Sequence, residues 1–141
     1  MNIVILGGPG SGKGTQSKLL EKKLNLKQLS TGEILRAEVK SASEIGLGIQ
    51  ELMHSGKLVS DDIMIELISN YLDGAKSNGG VIFDGFPRTV PQAKALSRLL
   101  ENKKLHIDFV FELIVDDEAI VRRIVGRYSC AQCSAGYHEE F

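Results

Sequence analysis

Four apolar runs punctuate the chain: Asn2 to Leu6, a short Lys27 to Leu29, Val81 to Asp84 and Phe109 to Val115. Short continuous apolar runs fit strands buried on both faces, and the segments between them repeat apolar residues at helical spacing. That alternation predicts an α/β fold with a parallel sheet flanked by helices. The clearest helix spans Asp61 to Asp73, with Ser60 as N-cap, acids in its first turn, and Met64, Leu67, Ile68, Tyr71 and Leu72 along one side. A second is predicted from Asp117 to Arg127, capped by Asp116, with Ile120, Val121, Ile124 and Val125 inward. Arg123 and Arg127 would then share its outer face, one turn apart.

Between the second strand and the Asp61 helix lies a mostly helical insert, Ser30 to Val59. It opens on a capping-box pattern, Ser30-Thr31-Gly32-Glu33, and carries small residues around 41–48, as a movable flap would. From Gly126 to Phe141 the helical period is lost. The expected division is a core of 1–29 and 60–125, a flap of 30–59, and a segment of 126–141 that begins a further unit.

Composition narrows the picture. With 141 residues, 43% of them hydrophobic, the chain can bury one core, and a formal net charge of -1 argues against a nucleic-acid or membrane-surface protein. No apolar run approaches the roughly 20 residues of a spanning helix, and the start lacks a secretory pattern, so a cytoplasmic protein is expected. Cys130 and Cys133, spaced Cys-x-x-Cys, suggest metal or redox chemistry rather than a disulfide framework.

Chemistry concentrates in Gly7-Gly8-Pro9-Gly10-Ser11-Gly12-Lys13-Gly14-Thr15, directly after the first apolar run. A glycine-rich loop between a strand and a helix can turn its N–H groups inward. The helix adds the positive end of its dipole, and a lysine reaches the outer phosphates. The usual Gly-x4-Gly-Lys-[Ser/Thr] pattern is displaced by one place, since Gly14 follows the lysine and the hydroxyl arrives at Thr15. The order of strand, loop, lysine and helix points to a nucleoside triphosphate. The third run ends in Asp84-Gly85-Phe86-Pro87-Arg88. At the carboxyl end of a parallel strand, Asp84 and Arg88 would face the crevice that the glycine loop faces. There Asp84 could hold Mg2+ through water, while by itself Asp-Gly is also an ordinary turn.

The glycine loop, Ser30 to Arg36 (Ser-Thr-Gly-Glu-Ile-Leu-Arg), Gly56-Lys57-Leu58-Val59, Asp84 to Thr89 and Gln92 together make the chain resemble the adenylate kinases from end to end. The resemblance implies a P-loop NTPase-type core with a helical insert for the nucleoside monophosphate, and Mg2+-dependent transfer of the γ-phosphoryl group of ATP to AMP. It implies that Gly10, Ser11, Gly12, Lys13, Gly14 and Thr15 hold ATP, with Arg127, Gly136 and Tyr137 adding to that site. AMP would lie against Thr31, Arg36, Met53, Lys57, Leu58, Val59, Gly85, Phe86, Pro87, Arg88 and Gln92. Lys13, Arg88, Arg123, Arg127 and Asp84 would carry catalysis by offsetting charge, with no covalent intermediate. Other readings stay open at several positions. Arg123 and Arg127 suit the C-terminal end of a helix dipole, Met53 and Val59 suit packing, and Thr89-x-x-Gln92 is a capping box as well as a base contact.

Cys130 to His138 resembles the opening of the long lid of bacterial-type adenylate kinases, where further ligands complete a structural zinc site. A closed zinc site takes four ligands, and this chain offers Cys130 and Cys133 with His138 a doubtful third, so reduced thiols are expected. Family members continue with the rest of the lid, two further arginines, a last strand and C-terminal helices. The chain is therefore expected to be a truncated piece with weak or absent activity, and monomeric. A UMP or CMP kinase and a noncatalytic nucleotide-binding fragment are the competing readings.

Overall fold

The computed structural model describes residues 1–41, 43–55, 59–74, 79–132 and 136–139. Lys57, Leu58 and Cys133 lie outside the described residues, and Met53 and Arg127 are described by backbone alone. In chain order the elements are β1 (Ile3–Gly7), α1 (Lys13–Leu24), β2 (Lys27–Ser30), α2 (Thr31–Ser41), α3 (Glu44–His54), α4 (Asp61–Gly74), β3 (Val81–Asp84) and α5 (Val90–Asn102). There follow β4 (Phe109–Leu113), α6 (Asp117–Val125), β5 (Arg127–Ser129) and β6 (Gly136–His138).

The first four strands form one parallel sheet in the order β2-β3-β1-β4. Successive residues of a strand point to opposite faces, and the apolar runs fill both. Val4, Val81 and Phe83 face the larger cluster, which Leu29, Ile68, Phe86, Leu96 and Leu100 complete. Ile3, Ile5 and Ile82 face the other way, against Leu26 and the α1 residue Leu20. Helix α4 buries Leu67 and Ile68 and lays Met64, Tyr71 and Leu72 on the larger cluster, as its pattern predicts. Its Ser60 cap is made, at 3.4 Å from the Ile63 N–H. Burying each such aliphatic or aromatic side chain stabilises the fold by about 1.5–3 kcal/mol.

Polar residues set the strand starts. The buried Asn2 donates from Nδ2 to the His106 carbonyl at 2.8 Å and accepts the Val81 N–H at 3.1 Å. Its backbone N–H donates to Asp108 at 2.6 Å, so one residue, through side chain and backbone, aligns the beginnings of β1, β3 and β4. Register then fixes the opposite ends: Ile5 and Ser30 both pair with Asp84, and Gly7 pairs with Leu113.

Several expectations are corrected. Helix α6 ends at Val125 and not at Arg127, because the Gly126 N–H closes the last turn on the Arg122 carbonyl and an extended segment begins at once. Arg127 therefore belongs to β5, which pairs antiparallel with β6, and does not share a helix face with Arg123. The stacked rings of Tyr128 and Tyr137, 5.8 Å apart, hold that hairpin. The apolar side of α6 is only partly inward: Ile120 and Ile124 lie against the loop after β1, while Val121 is 59% and Val125 79% exposed. Strand β4 stops at Leu113 rather than Val115 and is an edge strand, its Phe109 half exposed. Ser30 is a strand residue paired with Asp84, and α2 starts directly after it. Among the described residues, no helix is long and apolar enough to cross a membrane.

Candidate functional site

The loop after β1 owes its shape to glycine. Gly10 and Gly12 sit at φ 79° and 95°, a region that costs other L-residues about 1–2 kcal/mol, and Gly12 caps the start of α1. A side chain at Gly10 would also meet Ile124 Cγ1 at 3.1 Å, so α6 lies against the loop. No acidic residue of α1 itself stands in its first turn, so the positive end of its dipole faces the loop. Lys13 folds back over the loop, and its ammonium donates to the carbonyls of Gly7 and Gly8 at 2.7 Å each. Ser11 is buried, its hydroxyl without a partner among the described residues.

Asp84 ends β3 half-buried beside that helix start: a Cβ on Gly14 would lie 4.0 Å from its Oδ2. The same oxygen accepts Gln28 Nε2 at 2.8 Å. Gln28 is a residue the sequence reading missed. Only the pairing of β2 with β3, Ser30 opposite Asp84, brings it there. The Gln28 backbone is held in turn, its N–H by Glu21 and its carbonyl by the Tyr71 hydroxyl. Burial, and then the charges of Glu21 and Glu33, push the Tyr71 phenol above its ordinary pKa, so it stays a neutral donor.

The turn after β3 gathers the remaining groups. Gly85, at φ 85°, offers its carbonyl to Arg88 Nε at 2.7 Å and to the buried Thr31 hydroxyl at 3.4 Å. The Phe86–Pro87 peptide is cis. Phe86 is 2% exposed with its ring in the core, so it is its backbone that stands at the turn. Thr89 caps α5 by accepting the Gln92 N–H at 3.3 Å. The Gln92 side chain accepts the Arg88 N–H, and not that of Thr89, at 2.7 Å. Arg36 lies folded over Gly32 in the first turn of α2, its Nη1 3.3 Å from where a Cβ would stand.

A cleft of about 750 Å3 runs between the loop and this turn, and it is lined by Leu6, Gly7, Lys13, Gly85, Arg88 and Thr89 among others. It brings Lys13 and Arg88, 75 residues apart in sequence, to one space. That volume is in the range of small-molecule sites. Arg123, Thr31, Arg36 and Gln92 do not line it, and the Tyr137 ring is stacked in the hairpin. Cys130 is half-buried, and His138 places Nε2 3.1 Å from the Arg122 carbonyl. Among the described residues, no group of three or more His, Cys, Asp or Glu could hold a metal ion.

A parallel sheet whose first strand feeds a glycine loop, a lysine and a helix N-terminus defines a P-loop fold. The model of the family described as adenylate kinase matches residues 5–139, and the chain belongs to that family. It is 53% identical over 141 residues to an adenylate kinase of Zymomonas mobilis subsp. mobilis and 54% identical over the same length to one of Paramagnetospirillum magneticum. An adenylate kinase of Novosphingobium aromaticivorans is 50% identical over 141 residues. All of this chain is covered in each case, and it spans 63% to 65% of the length of these relatives.

Proposed function

We propose that this chain binds MgATP on the glycine loop and AMP against the turn after β3, and moves the γ-phosphoryl group from one to the other, giving two ADP. The observation that carries the reading is the single cleft shared by Lys13 and Arg88. A cation from the glycine loop and one from the turn after β3 face the same space, where two polyanions would otherwise repel each other.

An oxygen of the AMP phosphate attacks the γ-phosphorus of ATP in line, and the bond from that phosphorus to the β,γ-bridging oxygen breaks, leaving ADP on each side. Lys13 exchanges its two carbonyl partners for phosphate oxygens, and the N–H groups of Gly10 to Thr15 hold the β- and γ-phosphates. The Ser11 hydroxyl, buried without a described partner, is available to the same phosphates. Mg2+, arriving with ATP, would neutralise charge on the transferring group. Asp84 suits its water shell, being half-buried beside the first turn of α1 with one oxygen already steadied by Gln28. Arg88 and Arg36 take the AMP phosphate, with Arg123 and Arg127 adding positive charge. Thr31, Met53, Lys57, Leu58, Val59, Gly85, Phe86 through its backbone, Pro87 and Gln92 enclose the nucleoside. Gly136 and Tyr137 flank ATP, and residues 30–59 close as a flap, their helices α2 and α3 packed on each other.

The test mixes the 141-residue chain with MgATP and AMP and follows the phosphorus NMR spectrum. Growth of ADP resonances that is lost in Lys13→Met supports transfer. Nucleotide binding without ADP above the Lys13→Met level refutes it.

A further inference from the structure

The Gln92 amide is held at both ends. Its Oε1 accepts the Arg88 backbone N–H at 2.7 Å, and its Nε2 donates to Asp61 Oδ1 at 2.7 Å. The first partner can only donate, and the second, as a carboxylate, can only accept. Reversing the amide would set its carbonyl oxygen against the carboxylate and its NH2 against an N–H. The order of acceptor and donor on this side chain is therefore fixed before any ligand arrives.

We propose that Asp61 is a positioning residue that sets the orientation of Gln92 and thereby which purine the acceptor site takes. The inference rests on the reading above, in which Gln92 meets the base of the monophosphate. With one lone pair of Oε1 and one N–H of Nε2 already engaged, an acceptor and a donor remain side by side. The 6-amino group and N1 of adenine offer the complementary donor and acceptor. Hypoxanthine and guanine offer the reverse, a 6-oxo acceptor beside an N1–H donor, and would pair like with like.

Asp61 is also the first residue of α4, the element to which the chain returns from residues 30–59. A carboxylate there favours the helix dipole, so loss of stability alone would not distinguish the two roles. Discrimination between bases does.

The experiment titrates AMP and IMP by calorimetry into the wild-type chain, Asp61→Asn, Asp61→Glu and Gln92→Ala. The wild type should prefer AMP. Asp61→Asn keeps size but can donate or accept, so the AMP-to-IMP preference should shrink about tenfold while AMP affinity falls only about threefold. It shrinks without vanishing because the Arg88 N–H still opposes reversal. Asp61→Glu, which again can only accept, should retain the preference, and Gln92→Ala should abolish it. An unchanged preference in Asp61→Asn beside its loss in Gln92→Ala overturns the role of Asp61 and leaves the AMP reading intact. Equal loss of AMP and IMP affinity in both Asp61 variants marks a role in the helix start alone and also overturns it. A wild type that binds neither nucleotide, or that prefers IMP, overturns both readings.

Discussion

Replacing Gly85 with alanine perturbs the side of the cleft formed by the turn after β3 and leaves the glycine loop alone. At φ 85° an L-residue costs about 1–2 kcal/mol in backbone strain. The added methyl would stand 2.9 Å from Thr31 Oγ1 and 3.3 Å from Arg88 Nη2. Arg88 is exposed and long, so it swings aside cheaply, but in doing so it leaves the geometry in which Gly85 anchors its Nε. Thr31 is buried and stiff at χ1, so the first turn of α2 must shift or the long bond to the Gly85 carbonyl must break. The strain alone should lower the melting temperature by about 3–8 °C for a chain of this size. Displacement of Arg88 should weaken AMP about tenfold, the equivalent of about 1.4 kcal/mol, with ATP changed less than about twofold. Differential scanning fluorimetry and calorimetry with each nucleotide separate the effects. Equal weakening of ATP and AMP, or an unchanged melting temperature with unchanged AMP affinity, would refute the reasoning.

Gly46→Ala should overpack α2 against α3, since the new Cβ would run into the Glu38 carbonyl oxygen, and overpacking of this kind costs about 1–3 kcal/mol. Hydrogen exchange should rise within 30–54 and stay unchanged in α5. Phe83→Ala removes the largest fully buried side chain and should cost about 3–5 kcal/mol in a urea titration. Asp108 is held below its ordinary pKa of 3.8 chiefly by the Asn2 N–H, with His106 adding to it. A depressed folded pKa stabilises at pH values above 3.8 and is lost as the pH falls from there through the folded value, so the melting-temperature gap between wild type and Asp108→Asn should narrow in that acid range.

Local signals carried much of this fold into the sequence. β1 and β3 could be read because both of their faces are buried, which leaves an apolar run with nothing polar between. The α4 boundaries and the caps at Asp116 and Thr89 could be read because a capping side chain acts within one turn of itself. What escaped depends on partners far along the chain. The Gln92 amide meets Asp61 across 31 residues, and Asn2 meets His106 across 104. Gln28 reaches Asp84 only because β2 and β3 are neighbours in register. The β5–β6 hairpin rests on strands of three residues each, too short for a period to show. Helix α6 shows the opposite failure. Its amphipathic pattern was plain, but a pattern does not say what covers the apolar side, and Val121 and Val125 are exposed.

The central claim is that the loop around Lys13 and the turn around Arg88 hold two nucleotides facing each other across one cleft. Calorimetry with a dinucleoside polyphosphate, two adenosines joined through five phosphates, tests it directly. The account predicts one molecule per chain, bound tighter than ATP or AMP alone, and weakened at least about tenfold by Lys13→Met and by Arg88→Ala alike. Binding no tighter than that of ATP, or indifferent to Arg88→Ala, would contradict it.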